Sequence, residues 1–216
     1  MTFDNRRLLR TCAASLTLAA CAGAGLSACA PLLFSGAAVG ALMATDRRTS
    51  GAQIEDEGIE LRSASRIRDS LVDRAHVNIA SYNRQVLLTG EVPTAQDKQL
   101  VEQIVSRVDN VRAIVNELAV MGNTTLVQRS SDSLITGKVK AAMVDAKDLF
   151  ANAFKVVTER GTTYLMGRVS QREADRATEI ARGTSGVVKV VRIFETVGDD
   201  ELKRLLPANA PVETKR

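Results

Sequence analysis

Apolar and polar residues along this chain follow one plan twice, and the repetition predicts two copies of a single small α+β unit. In the first copy, Val77-Asn78-Ile79-Ala80-Ser81-Tyr82 and Val86-Leu87-Leu88-Thr89-Gly90-Glu91-Val92 alternate with the period of strands. Phe154-Lys155-Val156-Val157-Thr158-Glu159 and Thr163-Tyr164-Leu165-Met166-Gly167-Arg168-Val169 do the same in the second. Asn83-Arg84 and Arg160-Gly161 separate the paired runs, and these residues tolerate the left-handed backbone of a tight hairpin turn. A helix start follows each hairpin. Thr94 with Asp97, and Ser170 with Glu173, have capping-box spacing. Leu100, Val101, Ile104, Val105 and Val108 then recur at helical spacing, as do Ala174, Ala177, Ile180 and Ala181 with less bulk. Turns at Asp109-Asn110 and at Gly183 to Gly186 lead into closing strands, Val111 to Val120 and Val187 to Val197. Each copy also opens with a helix, marked by Ala64, Ile67, Leu71 and Val72 in one and by Ile135, Val139, Ala142, Met143 and Ala146 in the other. The expected fold class is α+β. Each copy runs helix-strand-strand-helix-strand, with a small three-stranded mixed sheet packed on two helices.

Ahead of the repeats the pattern changes. Arg6, Arg7 and Arg10 precede an uncharged stretch from Thr11 to Gly25, and Leu26-Ser27-Ala28-Cys29 follows. This is the layout of a secretory leader ending in a lipobox, which predicts cleavage before Cys29 and an acyl anchor on its sulfur. Leu18-Ala19-Ala20-Cys21 has the same form, but cleavage there leaves a short, weakly apolar leader. Ala30 to Ala44 is apolar but short and rich in Gly and Ala, so it reads as a tether near the membrane surface. No later run reaches the roughly 18 apolar residues of a spanning helix. The expected organisation is a leader over 1–28, tether and linker over 29–58, a first domain over 59–122 and a linker over 123–129. A second domain over 130–198 and a flexible tail over 199–216 complete it.

Composition narrows the chemistry. All three cysteines (Cys12, Cys21 and Cys29) lie in the leader or directly at its cleavage point, and the sulfur of Cys29 is taken up by the anchor, so the domains hold no disulfide even in an oxidising compartment. With no Trp, two Tyr and five Phe, the cores must be built mainly from aliphatic side chains. The net charge of +4 falls to about +2 once the leader's three Arg and one Asp are set aside. That balance argues against nucleic acid as a partner.

The hairpin strand Val-x-Leu-x-Gly-x-Val in a helix-strand-strand-helix-strand unit resembles the BON domain, a small module of bacterial envelope proteins. Two units behind a lipobox resemble the dual-BON outer-membrane lipoproteins of the DolP type. Ala44-Thr45-Asp46-Arg47-Arg48-Thr49 with Gly51-Ala52-Gln53 and Glu60-Leu61-Arg62 is similar to that family's entry into its first domain. Val156-Val157-Thr158-Glu159-Arg160-Gly161 is similar to the hairpin of its second. The resemblance spans roughly Cys29 to Val197. It implies an N-acyl diacylglycerol (a palmitate-type anchor) on Cys29 and no other cofactor. It also implies an outer-membrane location with the domains facing the periplasm, and a role in envelope integrity, in some members near the division site. The second domain's opening helix would then bind anionic phospholipid such as phosphatidylglycerol or cardiolipin. Leu134 stands where family members often carry Trp.

The helical wheel of that opening helix agrees with a membrane-facing role. Opposite its buried side come Gly137, Lys140, Ala141, Val144 and Lys147, with Leu134 and Lys138 nearer the edge. An apolar residue among lysines suits an anionic surface, where each basic residue adds about 1 kcal/mol. The charge is unequal between the copies: Glu60 to Gly122 holds eight basic and eight acidic residues, Ser130 to Val197 eleven and eight. An envelope adaptor that binds other proteins, for example division proteins, is the alternative, with the lipid only a tether. Catalysis is not expected, nor a small-molecule substrate. His76 is the one histidine and is expected in a surface loop, and Glu55-Asp56-Glu57 reads as acids preceding a helix. No nucleophile elbow or phosphate loop is present. Gly90 and Gly167 are expected to serve the backbone rather than a ligand.

Overall fold

The computed structural model describes residues 46–71 and 74–205; the leader with Cys29, the tether, Val72 and the residues from 206 on lie outside them. The first domain comprises α1 (Ser50–Leu71), β1 (His76–Tyr82), β2 (Gln85–Val92), α2 (Ala95–Ser106), β3 (Ala113–Asn116) and β4 (Ala119–Val120). The second comprises α3 (Leu126–Asp145), a 3-10 turn (Ala151–Ala153), β5 (Phe154–Glu159), β6 (Thr162–Val169), α4 (Gln171–Gly183) and β7 (Lys189–Thr196), and α5 (Asp199–Leu205) follows. In both, the hairpin is antiparallel and the closing strand returns parallel to its second strand, giving a mixed sheet.

The hairpin turns are left-handed at both central residues: Asn83 and Arg84 have φ of 51° and 65°, Arg160 and Gly161 50° and 70°. That twist matches the twist of the flanking strands. Each turn is held by a buried aspartate from the opening helix. Asp56 accepts from the backbone N–H of Asn83 and Arg84 at 2.8 and 2.7 Å. Asp132 accepts from Arg160 and Gly161, both at 2.9 Å. From sequence, Asp56 is expected ahead of the helix and Asp132 has no expected role, because a polar residue on a helix's buried side breaks the apolar pattern.

The caps differ as their side chains differ. Ser170 and Glu173 form a reciprocal box at the start of α4. At the start of α2, Thr94 accepts from the Asp97 N–H at 3.0 Å, and the shorter Asp97 carboxylate takes the Thr94 hydroxyl at 2.7 Å instead of reaching the cap's backbone.

Several elements start outside the stretches expected for them. Helix α1 begins at Ser50, inside the expected tether and linker of 29–58, so Glu55-Asp56-Glu57 lie within the helix rather than before it. Its first two turns face water at Ile54 and are held by the Asp56 contacts, which explains why no apolar stripe announces them. Helix α3 begins at Leu126, within the expected 123–129 linker, because Thr125 caps it by accepting from the Gln128 N–H at 3.2 Å. The closing strand of the first domain divides into β3 and β4 in one continuous register against β2. The division falls opposite Gly90, whose φ of 108° redirects the backbone; a Cβ there would sit 2.0 Å from the His76 carbonyl oxygen. The start of the expected flexible tail is helical in α5, with Glu201 paired to Arg168 at 2.5 Å.

Three cores result. Ile59, Ile67, Leu71, Val86, Leu88, Val101 and Val105 fill the first domain. Ile135, Val139, Met143, Leu165, Val169 and the alanines of α4 fill the second. A third joins the two sheets across their free faces, from Ala80, Tyr82 and Leu87 on one side and Tyr164, Met166 and Ile193 on the other. Polar contacts border this seam: Lys155 pairs with Glu60, and Asn83 donates to Glu195 at 2.7 Å.

The residues just before α1 cross the same region. Arg47 is 3 % exposed and forks onto Glu173 at 2.8 and 2.6 Å, while also donating to the Arg168 carbonyl. Arg48 binds Asp46 and Asp56 and lies 4.4 Å over the Tyr82 ring. The entry segment therefore clamps onto the second domain as well as the first. Arg47→Ala leaves Glu173 buried without its cation, and should lower the unfolding free energy by about 3–5 kcal/mol in urea titrations.

Candidate membrane-facing surface

Helix α3 packs on its domain through Asp132, Ile135, Val139 and Met143, with Ala142 and Ala146 half-buried beside them. The opposite side carries Leu134, Gly137, Lys138, Lys140, Ala141 and Val144, all exposed. Leu134 and Val144 are each 68 % exposed, although burial of a leucine or valine is ordinarily favoured by ~1.5–3 kcal/mol. A Cβ on Gly137 would meet nothing, so the helix surface there is open. Lys147 is exposed but stands beyond the helix, which ends at Asp145 with Ala146 as an extended C-cap. Lys138, Lys140 and Lys147 have no acidic partner among the described residues, whereas Arg176 nearby is paired with Asp148 and Glu179. The structure adds Leu126 and Val127, 77 % and 80 % exposed in the first turn of α3. Sequence reasoning missed them because it began the domain at Ser130; two adjacent apolar residues directly after the capping threonine were the available signal.

A second cluster lies on the seam. His76 is not in a loop: it opens β1 and places Nδ1 3.1 Å from Glu91. Strand alternation turns Glu91 to the same face as Leu87, toward the second domain, where it is fully buried. Arg160 reaches it from the other domain at 2.6 Å, and Thr124 donates through its backbone and hydroxyl at 3.2 and 3.0 Å. Burial works to raise the pKa of Glu91, but Thr124, Arg160 and His76 outweigh it and the carboxyl stays below the usual glutamate range. Ligand atoms of His76, Glu91 and Glu159 lie within 4.8 Å of one another. The Arg160 guanidinium already supplies the positive charge at this point, so the cluster is an ion-pair lock between domains. Glu159 is the strained member: burial, then the nearby Glu91 and Asp132 charges, push its carboxyl above the usual range.

The family model for the BON domain matches residues 55–122 and again 131–197. The chain belongs to the BON-domain family. Outer membrane lipoprotein DolP of Haemophilus influenzae is 37 % identical over 172 residues, 79 % of this chain and 89 % of that protein. The 21 kDa hemolysin of Actinobacillus pleuropneumoniae is 34 % identical over 154 residues, 70 % and 79 % of the two chains. Osmotically-inducible protein Y of Escherichia coli is 42 % identical over 60 residues, 27 % of this chain and 30 % of that one. With two BON domains and this degree of identity, the chain is a dual-BON protein of the outer-membrane lipoprotein, DolP type. No described helix is long and apolar enough to cross a membrane.

The raised Glu159 pKa has a testable sign. A carboxyl held above its unfolded value near 4.3 costs stability increasingly as pH rises past that value, and costs nothing below it. Glu159→Gln should therefore melt at higher temperature than the native BON pair at pH 7.5, with the gain vanishing as the pH falls below about 4. Parallel thermal melts across that range test this.

Proposed function

We propose that this protein is anchored to the outer membrane by acylated Cys29 and binds anionic phospholipid through the outer face of α3, supporting envelope integrity from the periplasmic side. The observation that carries the reading is the pairing of exposed Leu134 and Val144 with the unpartnered Lys138, Lys140 and Lys147. An apolar row enters the acyl boundary while the lysines meet headgroup phosphates. Gly137 and Ala141 keep the helix surface low, so the bilayer can approach the backbone.

The clamped entry segment strengthens the reading. Arg47 lies 5.7 Å from the Phe150 ring, only three residues beyond Lys147. The 18 residues from Cys29 to Arg47 reach at most about 60 Å when extended. An anchor on that lead holds α3 within reach of its own leaflet, so a weak helix–lipid contact becomes effectively intramolecular.

The adaptor reading has one observation in its favour. Ile54 and Leu61, two turns apart on α1, are 70 % and 73 % exposed. The cation beside them, Arg62, is paired with Glu55 at 2.6 Å, so they suit a protein partner better than a charged bilayer. A fragment of residues 44–216, floated with phosphatidylglycerol or cardiolipin vesicles and with phosphatidylcholine vesicles, separates the two. Salt-sensitive binding to the anionic vesicles alone is expected. Reversing Lys138, Lys140 and Lys147 to Glu should weaken it at least about 100-fold at ~1 kcal/mol per cation. Unchanged flotation of the triple variant, or none by the native fragment, would favour the adaptor.

A further inference from the structure

The turn between α4 and β7 carries the most exposed large apolar side chain among the described residues. Val188 is 84 % exposed, between the half-buried Val187 and the exposed Lys189. This turn is held firmly at both ends. Val188 donates its N–H to the Gly161 carbonyl at 2.8 Å, and Gly161 belongs to the hairpin turn that Asp132 of α3 fixes. Gly186, with φ of 99°, lies so close to α3 that a Cβ would fall 2.8 Å from Ile135 Cγ1. Ile135 is the neighbour of Leu134. The turn is thus braced against the packed side of α3, the helix whose outer face the preceding proposal assigns to lipid.

Its chemistry matches its position. Arg182, Val187, Val188, Lys189 and Val190 line a shallow recess of about 430 Å³. Arg182 and Lys189 are exposed and have no acidic partner among the described residues. The acids of the adjoining recess are occupied: Asp175 by Arg192 at 2.8 Å, and Glu179 by Arg176 at 2.9 Å. Two free cations over a valine floor complement an anionic headgroup joined to an acyl chain. A soluble anion would have no use for the valines.

We propose that this turn is a second bilayer contact, in which Arg182 and Lys189 hold the phosphate of an anionic phospholipid and Val188 enters the acyl boundary. The inference rests on the α3 reading and extends it, making the docking surface a helix plus a braced turn. Such a two-element surface fixes rotation about the helix axis, which a single helix lying on a bilayer leaves free.

The described residues form part of one compact unit beginning at Ala44, with all three cores inside it, so a 44–216 fragment is a fair object for the test. It contains no native cysteine, and Val188→Cys therefore takes a single environment-sensitive fluorophore. On phosphatidylglycerol vesicles, but not phosphatidylcholine, that probe should shift to the blue. Arg182→Glu with Lys189→Glu, and separately Val188→Asp, should each weaken flotation about tenfold or more while leaving the melting curve in place. Native-like flotation of these variants with a silent probe overturns the turn's role and leaves the α3 reading standing. Failure of the native fragment to float overturns both. Self-association that Val188→Asp abolishes, with flotation unchanged, also overturns the proposal and makes the turn a contact between copies.

Discussion

The contact between the two sheets is the constraint on which the rest of this molecule depends. In each domain the helices cover one face of a small sheet, and such a sheet left bare on the other side would expose a row of apolar side chains. Here the two bare faces cover each other. Strand alternation sends Val86, Leu88 and Val92 of β2 toward their own helices and Leu87 toward the seam, and divides Leu165 and Val169 from Tyr164 and Met166 in β6 in the same way. The same parity carries Glu91 into the seam, where the buried carboxylate is met by Arg160 from the other domain together with Thr124 and His76. The apolar contact joins the sheets, and the charged contact specifies how they are aligned.

The repeat is structurally faithful in its hairpins and closing strands, and it differs in core bulk, caps and outward faces. Asp56 and Asp132 do the same work, each fastening a left-handed hairpin turn to its opening helix. The outward sides of those helices differ. On α1 the exposed large apolar residues are Ile54 and Leu61; on α3 they are Leu126 and Val127 in the first turn and Leu134 and Val144 among lysines without partners. The two copies therefore share one plan of strands, turns and turn-holding aspartates, while the valines of α2 against the alanines of α4, and the outward faces of the opening helices, set them apart.

The entry segment at Arg47 and Arg48 is fastened to both domains. Arg47 engages the capping box of α4, so the chain arriving from the expected anchor is fixed against the second domain before the first domain begins. Arg48 then reaches Asp56 and stacks over Tyr82, joining entry segment, opening helix and seam. A buried bidentate ion pair of this kind is weak as a source of net stability but strict in geometry. Its consequence is that Arg47 and Arg48 hold the chain at the start of α1 in one fixed path across both domains.

Much of this was legible from residue order alone. The alternating runs, the left-handed turn residues at 83–84 and 160–161, and the caps at Thr94 and Ser170 depend on interactions within a few residues, and those can be read locally. The outer face of α3 was legible for the same reason, since helical period separates Ile135, Val139 and Met143 from Leu134, Lys140 and Val144. The first turns of α1 and α3, the role of Asp56 and Asp132, the change of His76 from loop to strand, and the burial of Arg47 were not. Each depends on a partner from about 15 to more than 120 residues away, or on a helix stabilised by its docking rather than by an apolar stripe. Local periodicity determined the units. Only the meeting of the two sheets decided how they are joined, and with it which polar side chains could be buried at all.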